Sequence, residues 1–289
     1  MIEVKNPKIA VPVVLFAGIL WSFGALIVRY MQDPHLVPWQ YIFSRGLTIF
    51  IILNLYLYFD EGKEFYKNYF KIGLSGVVGG LGLGIAMICF IYSITMTTAA
   101  VTLLCLAAMP FFTALLAFLF LRETISINVW ISIIIATVGL TIIAIDNTEK
   151  ASLLGLIFGI TSSIGFSVYS VTLRWRKDTP KFTTVAFAGF FCVVFATIMI
   201  LSNGLVFFSS SYNSAMFSLH GTVVCLGLIL YSIGSKAIPA AELTLLSLTE
   251  VIGGIFWVWL PLFGINEIPT TNTIIGGFFL FISITYYSL

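Results

Sequence analysis

Ten apolar runs, each of roughly the 20 residues a helix needs to cross the hydrocarbon core of a bilayer, follow one another along this chain with almost nothing between them. They fall at 9–28, 39–59, 72–94, 99–121, 127–145, 152–173, 182–202, 217–235, 243–263 and 270–288. With 60% hydrophobic and 9% charged residues over 289 positions and a mean hydropathy of +1.08, the chain lies outside the range of water-soluble domains. Inside lipid, backbone polar groups must be satisfied within the segment, so the runs are expected to be helices. The fold class is therefore an all-α membrane protein with ten transmembrane helices. The longest connections, 60–71 and 203–216, are too short to house a soluble domain. The first run begins near Ile9, is long enough to span and lacks a small-residue cleavage pattern, so it reads as the first helix.

Lys and Arg concentrate on the cytoplasmic side of membrane proteins. An N-in, C-in arrangement places Lys5, Lys8, Lys63, Lys67, Lys71, Arg122, Arg174, Arg176, Lys177, Lys181 and Lys236 there, eleven of the fourteen basic residues. Only Arg29 and Lys150 fall outside, and Arg45 lies within a run. The expected location is the cytoplasmic (inner) membrane, multi-pass, with both termini cytoplasmic.

The two halves echo each other. FIYSITMTTAAVTLLCLAAMPFF at 90–112 answers LILYSIGSKAIPAAELTLLSLTEVIG at 228–253, aligning Tyr92-Ser93 with Tyr231-Ser232, Ala99-Ala100 with Pro239-Ala240 and Pro110 with Val251. Five runs per half is an odd number, so residues 1–150 and 151–289 must enter the bilayer from opposite sides. The expected architecture is two inverted five-helix repeats, the usual plan of alternating-access carriers, with the substrate site near the midplane between the halves.

Charged groups inside a membrane run are costly and mark candidate functional sites. Arg45 lies about six residues into the second run, roughly 9 Å deep at 1.5 Å per residue. Its planar donors suit a carboxylate or phosphate, and the alternative is a structural anchor to carbonyls or a neighbouring helix. Glu250 lies about seven residues into the ninth run, roughly 10 Å deep. It suits a cationic ammonium group or proton coupling, against a carboxylate satisfied in helix packing. Trp21, Tyr41, Tyr92, Tyr169 and Tyr231 stand in matched motifs or close to these charges, and each is either cavity lining or packing. Gly76, Gly80 and Gly84 repeat every fourth residue, a stripe that permits close helix approach. Pro110 interrupts the fourth run while Pro239 and Pro261 bracket the ninth, so these two runs are the expected gating elements.

Several classes are excluded. The net charge of +2 is spread over short connections and forms no cluster for nucleic acid. Cys89, Cys105, Cys192 and Cys225 lie in apolar runs with no CxxC spacing and read as packing residues. His35 and His220, at a connection and at the start of the eighth run, have no ligand-spaced partner, so neither metal nor cofactor is expected. No HExxH motif, no pair of membrane aspartates and no intramembrane lysine supports an enzyme or a retinal photoreceptor. The alternatives that stay open are a channel, which would need a filter loop or a symmetric polar ring, and a membrane scaffold without transport.

Four stretches resemble the EamA-type, ten-helix drug/metabolite transporters: GILWSFGALIVRY (18–30), YIFSRGLTIFIIL (41–53), MPFFTALLAFLFLRE (109–123) and LLSLTEVIGGIFWVWL (245–260), the last with Glu250 on the family's glutamate. Two departures are visible. Arg122 replaces the family's glycine, and about three extra residues, with Pro261 among them, separate Glu250 from the closing Glu267. The resemblance implies a secondary carrier for small metabolites or amino acids in a cytoplasmic membrane. The expected cargo is a small polar metabolite, an amino acid or a related zwitterion or organic anion, with protons as a candidate coupling ion. Its other partner is the lipid bilayer, and monomer and homodimer both stay open.

Overall fold

Backbone groups that cannot reach water close their hydrogen bonds within the segment, and each apolar run is helical in the computed structural model. It describes residues 4, 6–97, 99–145, 152–176, 178–265, 268 and 270–288. Lys5, Lys150, Lys177 and Glu267 lie outside the described residues. Thirteen α-helices and no strand occur among the described residues: α1 (Pro7–Tyr30), α2 (Pro38–Glu61), α3 (Lys67–Lys71), α4 (Gly73–Met96), α5 (Ala99–Leu106), α6 (Met109–Leu116), α7 (Ile127–Ile145), α8 (Leu153–Trp175), α9 (Lys181–Ser202), α10 (Ser211–Gly234), α11 (Ala240–Ser247), α12 (Thr249–Trp259) and α13 (Thr271–Ser288). Seven helical stretches are long and apolar enough to cross a membrane, with α11 and α12 counting as one, and three shorter apolar stretches accompany them.

Two of the ten runs are not continuous helices. In the fourth, α5 stops at Leu106 and α6 restarts at Met109. Pro110 sits in the first turn of α6, where its missing N–H is no loss. In the ninth, α11 and α12 part at Leu248 without a proline. Here hydroxyls bond to the backbone in place of a continuous ladder. Ser247 Oγ donates to Thr244 O (2.7 Å), and Thr249 Oγ1 donates to Leu246 O (3.0 Å) and to Leu15 O (3.3 Å) of α1. Pro239 is the residue before α11, and Pro261 opens a 3-10 turn after α12 has ended at Trp259. The ninth helical stretch is therefore shorter at its end than the apolar run.

The glycine stripe of α4 packs on α9. A methyl group at Gly80 would lie 2.5 Å from Phe187, and one at Gly84 would lie 2.5 Å from Phe191. The adjacent face of α4 meets α8 backbone to backbone, since a methyl group on Gly165 would fall 2.6 Å from Gly82 O. The main helix pairs are α4 with α8, α2 with α9, α7 with α13 and α1 with α10, and α6 meets α11. The partners in the first four pairs run antiparallel, whereas α4 and α9 run parallel. At one end Gly234 of α10 rests on Val14 of α1, while at the other Asn213 and Gln32 exchange two hydrogen bonds of 2.7 and 2.9 Å. All four cysteines are buried and free.

Candidate functional site

The two helix breaks, the buried Arg45 and the part-buried Glu250 meet at one cavity. It has a volume of about 70 Å³ and is walled by Trp21 of α1, Arg45 of α2, Leu83, Met87 and Phe90 of α4, Leu106 and Met109 on either side of the first break, Ser162 and Phe166 of α8, His220, Val224 and Leu228 of α10, and Glu250 just past the second break. The halves 1–150 and 151–289 both contribute to it.

Freed backbone at membrane depth has to be satisfied by neighbours. α8 adds hydroxyls at the first break: Ser167 Oγ donates to Met109 O (3.1 Å) and Ser163 Oγ to Cys105 O, which also accepts from Ala108 N at 3.1 Å. Ser162 Oγ, on the cavity wall, donates to Ala86 O at 2.9 Å. At the second break Gly18 allows α1 to touch the bend, because a methyl group there would lie 1.9 Å from Thr249 Oγ1. Glu250 occupies the first turn of α12, where a carboxylate complements the helix dipole.

Arg45 is 6% exposed, and its Nε and Nη1 are buried with no hydrogen-bond partner. The guanidinium lies 5.5 Å from the Phe90 ring centroid, a cation–π contact that orients it without satisfying its donors. Glu250 lines the same cavity without forming an ion pair with Arg45 among the described residues. An unpaired guanidinium in a low-dielectric wall is unfavourable until an anion meets it. The arrangement can bind a small molecule that carries an acidic group at one end and a cationic or protonatable group at the other.

The other expected residues are distributed unevenly. Trp21 lines the cavity, its Nε1 occupied by Val224 O at 3.2 Å, so it offers a ring face. Tyr41, Tyr169 and Tyr231 stand behind the wall, fully buried. The Tyr169 and Tyr231 hydroxyls bond to Ser232 (2.8 Å) and Ser170 (2.7 Å), and the Tyr231 ring supports Trp21 at 5.4 Å. Tyr41 stacks on Phe217 and bonds His220. Tyr92 packs against Trp39 and Phe158, away from the cavity. Pro110 is buried beside Met109, and Pro239 lies at the entry to α11 rather than at the break. His220, expected at the start of a helix, is instead well inside α10 and on the cavity wall. The helix begins at Ser211 because Ser210 caps it, accepting from Asn213 N at 3.1 Å, a signal present in the sequence as SSSYN.

A family model described as the EamA-like transporter family matches residues 8–145. The first half of the chain is thus similar to the EamA-like transporter family. Over 257 residues the chain is 26% identical to an uncharacterized transporter of Helicobacter pylori strain J99, covering 86% of this chain and 84% of that one. A second uncharacterized transporter, from H. pylori strain 26695, is 28% identical over 171 residues, 58% of this chain and 56% of its own length. A protein of known crystal structure shares the fold at a TM-score of 0.70 over 96% of both chains, with 17% identity.

Proposed function

We propose that the chain is a secondary carrier of two inverted five-helix halves, 1–150 and 151–289, moving a small polar metabolite across the cytoplasmic membrane by alternating access. The observation that carries this reading is the convergence of both broken helices and both intramembrane charges, one from each half, on a single cavity. Broken helices at a site between repeats are how such carriers expose backbone and dipoles to cargo without facing lipid. The helix pairs support the inversion. Exchange of the halves turns α4–α8 into α10–α1 and leaves α2–α9 and α7–α13 unchanged. The described basic residues support both termini being cytoplasmic, since Arg122, Arg174, Arg176, Lys181 and Lys236 border the end where α8 and α10 finish and α9 and α11 begin.

In this reading the free donors of Arg45 hold the acidic group of an amino acid or related zwitterion or organic anion. Glu250 receives the ammonium group or a proton, and the apolar wall excludes water. The segments around Pro110 and Pro239, α5–α6 and α11–α12, bend at their breaks as the halves rock.

The test is a thermal-shift screen of amino acids, carboxylates, amines and nucleosides on detergent-purified protein, with Arg45→Ala and Glu250→Gln alongside. A charge-assisted hydrogen bond contributes about 1.5–3 kcal/mol, so a genuine ligand should bind Arg45→Ala roughly 10- to 100-fold more weakly. A confirmed ligand that stabilises both variants as well as the wild type would remove both residues from the site.

A further inference from the structure

His220 is a buried titratable group that the substrate site leaves without a task. It is 3% exposed, and its ring is held from two sides. Nδ1 shares a hydrogen bond with the Tyr41 hydroxyl, and Tyr41 is itself immobilised by stacking on Phe217 at 4.6 Å. Nε2 faces α1 at Gly24, where a methyl group would lie 2.8 Å from it, so a residue without a side chain is needed there. Beside the ring is a second cavity, of about 10 Å³, between α1, α4, α5, α10 and α12, to which Ser22, Gly24, His220 and Glu250 contribute. That is about the volume one water needs. His220 and Glu250 also line the larger cavity, so the two spaces adjoin.

Building on the carrier reading, we infer that His220 and Glu250 form a buried proton-binding site beside the substrate cavity, bridged by one water and oriented by Tyr41. A phenol that gives its proton to Nδ1 leaves the neutral ring's hydrogen on Nε2. The chain then runs from Nε2–H through the water to the Glu250 carboxylate. A proton arriving from the cavity binds either on the Glu250 carboxylate or on His220 Nδ1, the Tyr41 hydroxyl then turning to accept from the imidazolium, and it leaves by the same route. A metal cation is poorly served, because hard cations ask for several oxygen ligands. The Ser22 hydroxyl here is already engaged by Ile19 O and by Trp257 Nε1 at 2.7 Å. Among the described residues no cluster of His, Cys, Asp and Glu could hold a metal.

The other titratable or charged groups near the pair are Tyr41 and Arg45 on α2 and Cys192 on α9. The Cys192 thiol donates to Gly84 O at 3.5 Å. An anion at Arg45 and a proton at the pair offset each other's charge within one low-dielectric space. Each therefore favours binding of the other, a coupling that is reciprocal by linkage. The carrier then moves the two together.

The chain contains two histidines, so the full-length protein labelled with ¹⁵N-imidazole and reconstituted in phospholipid vesicles gives two ring environments, assigned with His35→Gln. The ring is followed by NMR as pH is varied, with protons as the only ligand. The expected result is that the His220 signals respond to pH and that Glu250→Gln moves their midpoint by about one pH unit or more, as coupled sites do. Tyr41→Phe should change the balance of ring tautomers while leaving a response to pH. If Glu250→Gln does not fold, Glu250→Asp, which lengthens the gap by one methylene, carries the same test. A His220 ring that holds one protonation state throughout, or whose midpoint ignores both Glu250 variants, would make it a packing residue and overturn the proposal. No substrate enters this measurement, so an empty ligand screen would count against the carrier reading alone, and an unresponsive His220 against the proton site alone.

Discussion

Arg45 shows how little separates an anchor from a binding residue. On α2 the same guanidinium could have turned to carbonyls of a neighbouring helix; instead two of its nitrogens are buried and unbonded, a condition tolerated where a ligand completes it. Arg45→Lys keeps the charge and loses the fork, so a carboxylate ligand should bind this variant several-fold more weakly in the same thermal-shift assay, and equal binding would show that charge alone suffices. At Gly227 a methyl group would lie 2.1 Å from Trp21 Nε1. Gly227→Ala should therefore displace the cavity tryptophan and cost about 1–3 kcal/mol, read as a lowered unfolding midpoint. The candidate charges were legible in the sequence, because an ionisable residue in an apolar run is conspicuous. The tyrosines were not separable: Tyr41 and Tyr92 each stand in an apolar, aromatic-bearing run, and only packing decides which stands near the cavity.

At the scale of the helix, the two breaks have different causes. The first is marked by Pro110, which a reader of the sequence can see. The second is made by Ser247 and Thr249 bonding back onto the chain and onto α1, and such hydroxyls occur just as often in unbroken helices. Ser163 covers a carbonyl at the first break. Ser163→Ala should destabilise the protein by about 1 kcal/mol, measured by denaturant unfolding in mixed micelles. Gly165→Ala should cost more, because the obstacle is the Gly82 carbonyl, a backbone atom that cannot rotate away. Wild-type stability in Gly165→Ala would contradict the close α4–α8 contact.

For the molecule as a whole, an ion-paired link ties the halves at the end where the basic residues gather. Arg174 Nε meets Glu123 Oε1 at 2.6 Å, Arg174 Nη1 donates to Ile238 O at 2.8 Å, and Glu123 Oε2 accepts from Ala240 N at 3.4 Å. The end of the fourth run is thereby fastened to the entry of α11. The two side chains are 25% and 22% exposed, so a double-mutant cycle with Arg174→Gln and Glu123→Gln should give a coupling of about 1 kcal/mol. Breaking the link should also speed maleimide labelling of the native cysteines, all buried in the intact protein; unchanged labelling would mean that this link does not restrain opening.

The sequence alone determined the membrane class, the ten apolar runs and the two intramembrane charges, because each follows from local composition: length of apolar chain, position of Lys and Arg, and the cost of a charge in lipid. The tertiary structure decided where the ninth run bends, that His220 is deep inside α10 and not at its start, and that Arg45, Glu250 and both breaks face one space. These depend on contacts between residues far apart in the chain, such as Thr249 with Leu15, 234 positions away, and Tyr41 with His220, 179 positions away. A hydrophobic run carries no record of which of its faces meets a neighbour until glycines on two helices bring their backbones together.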